Sequence, residues 1–270
     1  MFEPISAKNS LISDLRRLSR RRSARQEQGR FLVEGATLVE VALDAGAVVT
    51  HVLVDGGRPV DAHVDWLGAR AAAAGARLLE LPDGLMARIA DTVSPQPVAA
   101  VIERATTSLD SILVDGPPVL PVLVLVDVAD PGNAGTLLRS AEAAGVAAVV
   151  FCAGSVDPFN PKTVRSSAGS LFHVPVVDGP SPTIALAALG DAGIRRVGTV
   201  ARGGVALEDA PLAGPVAIVL GSEAHGLPEG LAAGLDQLLT IAMSGRAESL
   251  NVAMAGTLVV FEAARQRRQG

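Results

Sequence analysis

Six strand-like runs recur through the second half of the chain, at residues 122–128, 147–152, 174–177, 196–200, 216–220 and 238–242, and several are apolar at successive positions. A strand with one face in water alternates apolar and polar residues, whereas a run that is apolar on both faces must be covered on both. Helical patterns fall between most of these runs, which predicts an α/β class with a parallel sheet clothed by helices. Hydrophobic residues make up 49% of the chain but aromatics only 3%, with no tyrosine, so the core has to be built from Ala, Val and Leu. The longest apolar stretch, 119–128, contains Asp127 and is far too short to cross a bilayer, so no membrane association is expected.

The first half reads differently. Residues 10–22, 35–45 and 64–74 have helical spacing, while 49–54, 77–81 and 98–102 read as strands, with Pro82-Asp83-Gly84 breaking the chain before a short helix. Residues 103–118, ERATTSLDSILVDGPP, mix polar residues with Gly-Pro-Pro and read as a linker. The expected organisation is a first domain over 1–104, a connection over 105–118 and a second domain over 119–270.

One cysteine, Cys152, lies in an apolar run, which excludes a disulfide within the chain and a cysteine metal site; a small buried hydrophobe in a reducing, cytoplasmic setting is expected. No apolar segment follows the basic N-terminus, as a signal peptide would require. The net charge of −5 is unevenly spread: residues 1–30 carry eight basic and three acidic side chains, so the other 240 residues stand at −10. The cluster Arg16, Arg17, Arg20, Arg21, Arg22 and Arg25 fits a phosphate-binding patch, and it also fits a solvated helix face.

Three loops at strand ends carry the polar residues, and ligands of open α/β sheets bind at such ends. In DVADPGNAGTLLRSAEAAGV, 127–146, a strand gives way to a Pro-Gly turn and a helix starting near Asn133, with Arg139 further along. By itself the segment also suits an ordinary strand–turn–helix, and neither the dinucleotide glycine pattern nor the P-loop occurs in the chain. In VAIVLGSEAHGL, 216–227, Ser222, Glu223 and His225 share a tight loop, but the nucleophile elbow of serine hydrolases is absent. In 240–268 a strand leads through a polar loop to a final helix, with Ser249 at the expected N-cap and Asn251 in the first turn, where asparagine is as often a structural hydrogen-bonder.

Together, and in this order, the three segments resemble the motifs of the SpoU/TrmH family of RNA 2′-O-ribose methyltransferases, within the SPOUT superfamily. The matching residues are Asp130, Pro131, Asn133, Gly135 and Arg139; then Leu220, Gly221, Glu223 and Gly226; then Ile241, Met243, Gly245 and Ser249 to Val252. The stretch 158–176 is similar to the family's connecting segment, and 31–43 with 94–101 resembles the small α/β RNA-binding domain that many members carry. The resemblance implies that domain followed by a parallel-sheet SPOUT domain with a trefoil knot, a homodimer, and S-adenosyl-L-methionine (AdoMet) as cofactor. It puts the cofactor at Thr199, Gly221, Ile241 and Leu250, the functional polar residues at Asn133, Arg139, Glu223, Ser249 and Asn251, and no metal in the site. The chain departs from the family pattern at His225.

The resemblance therefore implies methyl transfer to a ribose 2′-hydroxyl of RNA, with 23S rRNA first and tRNA second; a non-catalytic RNA-binding or ribosome-assembly protein on the same scaffold is the alternative. A guanidinium keeps its proton at neutral pH, so Arg139 is expected to hold a phosphate beside the target ribose instead of acting as a base. Asn133 and Asn251 are expected to keep loops and substrate in register, and Glu223 to tie two loops together.

Overall fold

The computed structural model describes residues 1–90 and 95–269. They form two compact units, 1–105 together with 159–172, and 106–158 together with 173–270. Ser94, the first residue of the 94–101 segment, lies outside the described residues.

In the first unit the elements run β1 (Glu3–Pro4), α1 (Ser10–Arg20), α2 (Arg22–Gln28), β2 (Arg30–Glu34), α3 (Ala36–Asp44), β3 (Val49–Asp55), α4 (Ala62–Ala73), β4 (Arg77–Leu81), α5 (Leu85–Ile89) and β5 (Val98–Glu103). The strands form one mixed sheet in the order β1-β4-β3-β5-β2, in which β5 runs antiparallel to both its neighbours. Asn9 starts α1 by accepting the Leu11 N–H on its side chain, and the helix turns Ile12, Leu15 and Leu18 into a core shared with Leu32, Leu53 and Leu79. Helical spacing in 10–22 had to yield such a stripe. It breaks at Arg21, whose extended backbone ends α1 and begins α2, so the single helix expected there is two.

The second unit opens with α6 (Leu109–Leu113), inside the stretch read as a linker. Ser108 caps it, and Leu109, Ile112 and Leu113 join the unit's core, so three apolar side chains override the polar composition around them. The sheet strands are β6 (Val122–Leu125), β7 (Ala148–Phe151), β8 (Val176–Asp178), β9 (Arg195–Thr199), β10 (Val205–Ala206), β11 (Val216–Leu220) and β12 (Gln237–Thr240). Between them lie α7 (Pro131–Ala144), α8 (Pro161–Ser167), α9 (Pro182–Asp191) and α10 (Glu229–Ala232), and α11 (Val252–Arg267) ends the chain. Strand order is β10-β12-β9-β11-β6-β7-β8, and every pairing is parallel. All four residues of β6, all four of β7 and all five of β11 are buried, as runs covered on both faces must be.

The α8 segment belongs with the first unit although its sequence neighbours do not. Phe159 and Phe172 pack against Phe31, with centroid separations of 4.9 and 6.2 Å, and Arg165 reaches the buried Glu34 carboxylate at 3.3 Å. Cys152 is fully buried, and burial, with Asp127 nearby, pushes its thiol up to about 12. Among the described residues no helix is long and apolar enough to cross a membrane.

Candidate active site

The three polar loops all leave the carboxyl ends of strands in the second unit's sheet. After β6 the chain enters α7, which starts at Pro131, two residues before the position the sequence suggested. Asp130 is the N-cap, its side chain accepting the Asn133 N–H at 2.9 Å, and Pro131 supplies a fixed φ where no amide donor is needed. The Asp-Pro pair is a start signal in its own right.

Capping leaves the Asn133 side chain free to bridge. Its Nδ2 donates to Oε1 of Glu223 at 2.9 Å, and its Oδ1 accepts from Nδ2 of Asn251 at 2.9 Å. Asn251 in turn accepts the N–H groups of Ala253 and Met254 on its Oδ1, at 2.8 and 3.3 Å. An ionised carboxylate can only accept, so Glu223 fixes which end of the Asn133 amide faces it, and that choice fixes Asn251. Glu223 also accepts the backbone N–H groups of Ala129 and Asp130, each at 3.1 Å. Partial burial works to raise the Glu223 carboxyl, but the Asn133 amide and the N–H groups of Ala129, Glu223 and Asp130 outweigh it and hold the carboxyl below its ordinary value. One charged group thereby joins the loop after β6, the loop after β11 and the start of α11.

Two residues occupy other places than expected. Asn251, not Ser249, is the N-cap of α11; Ser249 is exposed in the polar loop two residues upstream. An asparagine caps as well as a serine does, and only the helix start distinguishes the two. Arg139 is exposed, and six residues of α7 carry it about 240° around the axis from Asn133. It therefore does not join the hydrogen-bonded group.

The residues carried over for the cofactor sit at neighbouring strand ends. Thr199 is the last residue of β9 and donates its hydroxyl to the Val219 carbonyl at 3.4 Å; Gly221 follows β11; Ile241 follows β12. The order β12-β9-β11 sets these three side by side. Gly221 is obligatory, because a Cβ there would collide with the backbone of Gly226 and Leu227, where Ser222 and Gly226 exchange N–H···O bonds at 3.0 and 2.9 Å. Leu250 is 37% exposed and Ile241 half-buried, leaving apolar surface at the strand ends beside a hydroxyl and no fixed charge among these four. That set suits an adenosine: a flat apolar body with a few polar edges. His225 lies exposed at the tip of the Ser222–Gly226 loop.

The arginines of the first unit divide. Arg20 and Arg21 are exposed, and Arg16 and Arg22 half-buried. Arg17 is exposed but faces Asp14 and Glu27 at 3.7 and 3.3 Å. Arg25, expected on the same basic patch, is instead buried: it is 2% exposed and donates to the carbonyls of Leu18 and Ser19 at 2.7 and 3.2 Å. It closes the carboxyl end of α1 from inside, because the turn between α1 and α2 points it at carbonyls that the helix leaves unpaired.

Residues 121–261 match the SpoU rRNA Methylase family, and residues 9–100 match the MRM3-like substrate binding domain. A Bacillus subtilis protein named 23S rRNA (guanosine(2553)-2′-O)-methyltransferase RlmP is 33% identical over 260 residues, covering 95% of this chain and 96% of its own. A Streptomyces viridochromogenes protein named 23S rRNA (uridine(2479)-2′-O)-methyltransferase is 34% identical, with coverages of 98% and 93%. The crystal structure of an AdoMet-bound rRNA methyltransferase from Sinorhizobium meliloti superposes with a TM-score of 0.86 at 31% identity, over 98% of both chains. With the motif order, the parallel sheet and the converging loops in agreement, the chain belongs to the SpoU rRNA methylase family.

Proposed function

We propose that this protein is an AdoMet-dependent 2′-O-ribose methyltransferase acting on 23S rRNA. The observation that carries the reading is the Glu223–Asn133–Asn251 chain of hydrogen bonds, which draws three loops far apart in sequence to one edge of the sheet. Thr199, Gly221, Ile241 and Leu250 would hold the cofactor. When bound, AdoMet supplies a sulfonium methyl electrophilic enough to need no metal. The work left to the chain is to present a poorly acidic ribose hydroxyl in line and to let its proton depart.

Arg139 is the phosphate anchor in this reading. Exposed and permanently charged, it can clamp the phosphate next to the target ribose in the bidentate geometry arginine favours, positioning the hydroxyl and stabilising developing negative charge. The proton passes to that phosphate or to water. Glu223 accepts from Ala129, Asp130 and Asn133 and stays ionised, which suits a tie between loops better than a proton shuttle. Asn133 and Asn251 keep those loops in register, and Ser249 lies on the polar loop leading into α11, open to substrate. In this reading the first unit, with Arg16, Arg17, Arg20, Arg21 and Arg22, supplies RNA attraction, and the protein works on its substrate in the cytoplasm.

The reading includes a homodimer and the family's knotted chain path. Met254, Leu258 and Phe261, 51%, 46% and 43% exposed, recur at helical spacing along α11 and form an apolar stripe suited to a second copy.

Calorimetric titration with AdoMet, followed by transfer of a tritiated methyl group to total rRNA and to total tRNA, tests the proposal. Binding with label in 23S rRNA is expected. Absence of AdoMet binding defeats the catalytic reading, and label confined to tRNA defeats the substrate assignment.

A further inference from the structure

A cleft of about 500 Å³ opens in the second unit between α9, α10 and the sheet, lined by Val126, Asp127, Thr183, Leu186, Pro228 and Leu231 among others. Its polar residues differ in how they are engaged. Arg196 is committed to Asp236, donating Nε and Nη2 to its carboxylate at 3.0 and 2.8 Å. Asp127 is exposed and has no side-chain hydrogen bond or ion pair among the described residues. Its backbone has φ +52°, a conformation shared by Ala168 alone of the non-glycine residues described. Aspartate tolerates that conformation better than most residues, but it still costs energy. Gly154 makes room for the carboxylate, since a Cβ there would collide with Oδ1 of Asp127. An exposed carboxylate in this uncommon conformation at a cleft wall is an acceptor open to a ligand.

The cleft shares both of its loops with the candidate active site. Asp127 lies two residues before Ala129, whose N–H binds Glu223. Pro228 lies two residues past the Ser222–Gly226 loop that carries Glu223. Proteins that recognise RNA by sequence take bases that are out of the stack, pack them against side chains and read their Watson–Crick edges. Leu186, Leu231 and Pro228 supply the apolar walls, and a carboxylate reads an edge that donates. Among the four bases only guanine offers two adjacent ring and exocyclic donors, N1–H and N2–H.

Building on the methyltransferase reading, we infer that this cleft receives an unstacked guanine of the RNA substrate and that Asp127 accepts from its Watson–Crick edge, making Asp127 a specificity residue.

The test compares the wild-type protein with Asp127→Asn and Asp127→Gly. Both replacements accept a positive φ more readily than aspartate, so folding is retained, and both remove the paired acceptor. Methyl transfer to in vitro transcribed 23S rRNA is followed by mass spectrometry to locate the methyl group. A ligated transcript then carries inosine, which lacks the N2 donor, in place of the guanosine at or beside that position. The expected result is a roughly 10- to 100-fold fall in kcat/KM for either variant, with AdoMet affinity unchanged. The wild-type protein should discriminate against inosine and the variants should not. Equal kcat/KM in variants and wild type overturns the inference while leaving the methyltransferase reading intact. Weakened AdoMet binding by Asp127→Asn overturns it by assigning the carboxylate to the cofactor, and so does the lack of a guanine at or beside the methylated ribose. A wild-type protein that methylates no RNA defeats the methyltransferase reading and this inference with it.

Discussion

Asn251 donates its side-chain N–H to the side-chain oxygen of Asn133 across 2.9 Å, although 118 residues separate them in the chain. The polarity of that bond is inherited from Glu223, which takes the other end of the Asn133 amide, and it is passed on to the first N–H groups of α11. Three side chains far apart in sequence, and the helix start that the last of them caps, therefore have a single compatible arrangement of donors and acceptors.

Replacing Glu223 by glutamine removes the charge and sets an amide N–H against one of three donors. Stability should fall by about 1 kcal/mol, the low end for a lost charge-assisted bond at an accessible site. Because the native Glu223 carboxyl is held below its ordinary value, its contribution is present above the unfolded carboxylate range and lost as pH falls through the native value. The gap between wild type and Glu223→Gln in urea midpoints should be full at pH 7 and close below pH 4, the ordinary carboxylate range. A gap independent of pH would show that the charge plays no part.

Arg139 is exposed and outside the hydrogen-bonded group, so Arg139→Ala should leave the melting temperature and AdoMet affinity unchanged while single-turnover methyl transfer falls roughly 100-fold or more. Lysine should restore part of the rate as a point charge without the bidentate fork. A titrating step in the wild-type pH–rate profile that disappears with Arg139→Ala would favour proton abstraction by this residue and defeat the anchoring role.

The sequence made much of this visible, and the gaps share a cause. Residues 216–220 and 77–81 are the observed strands β11 and β4 without adjustment, because length and apolar character are local properties. The convergence of Asn133, Glu223 and Asn251 was legible only through motif order; no local pattern tells a loop which loop it will meet. Ser249 and Asn251 are both good caps two residues apart, so choosing between them depends on where α11 finds its packing. Arg25 looked like its neighbours because burial is decided by the turn at Arg21, not by the arginine itself. Residues 159–172 read naturally as part of the second half, and their packing with the first unit through Phe31 and Glu34 is a tertiary fact.

Arg20 and Arg25 should respond to mutation in opposite ways. Loss of exposed Arg20 or Arg21 should weaken RNA binding across sequences and reduce the slope of log K against log salt by up to about one per phosphate contact, with no change in stability. Arg25→Ala removes donors from the Leu18 and Ser19 carbonyls and should cost about 1–3 kcal/mol of stability. Filter binding at several salt concentrations, with thermal melts of the same variants, separates the two. Unchanged salt slopes in Arg20→Ala and Arg21→Ala would remove the basic patch from the RNA interface.

Glu34 is buried in the first unit and lies 3.3 Å from Arg165, which is partly exposed. Removing Arg165 takes one charge-assisted bond from a buried carboxylate, whereas removing both partners also removes the charge that needs it. Arg165→Met should therefore destabilise by about 1–3 kcal/mol, and Glu34→Gln combined with it should cost less than the sum of the two single changes. Additive effects in urea unfolding would mean that the two side chains act independently.

The apolar stripe of α11 offers a direct test of the proposed homodimer. Leu258 sits midway between Met254 and Phe261 and is 46% exposed in the isolated chain, so a charge there leaves the fold of one copy undisturbed. Buried against a second copy, the same charge would be desolvated without a partner, at a cost of several kcal/mol per site. Leu258→Arg should thus convert a dimer to monomers at micromolar concentration in sedimentation equilibrium, with circular dichroism unchanged. Because the stripe begins just beyond the Asn251 cap, that variant also shows whether the site depends on assembly. Monomers that bind AdoMet as tightly as the wild type would mean one chain completes the cofactor site alone. A variant that stays dimeric would place the interface elsewhere and leave the stripe unexplained.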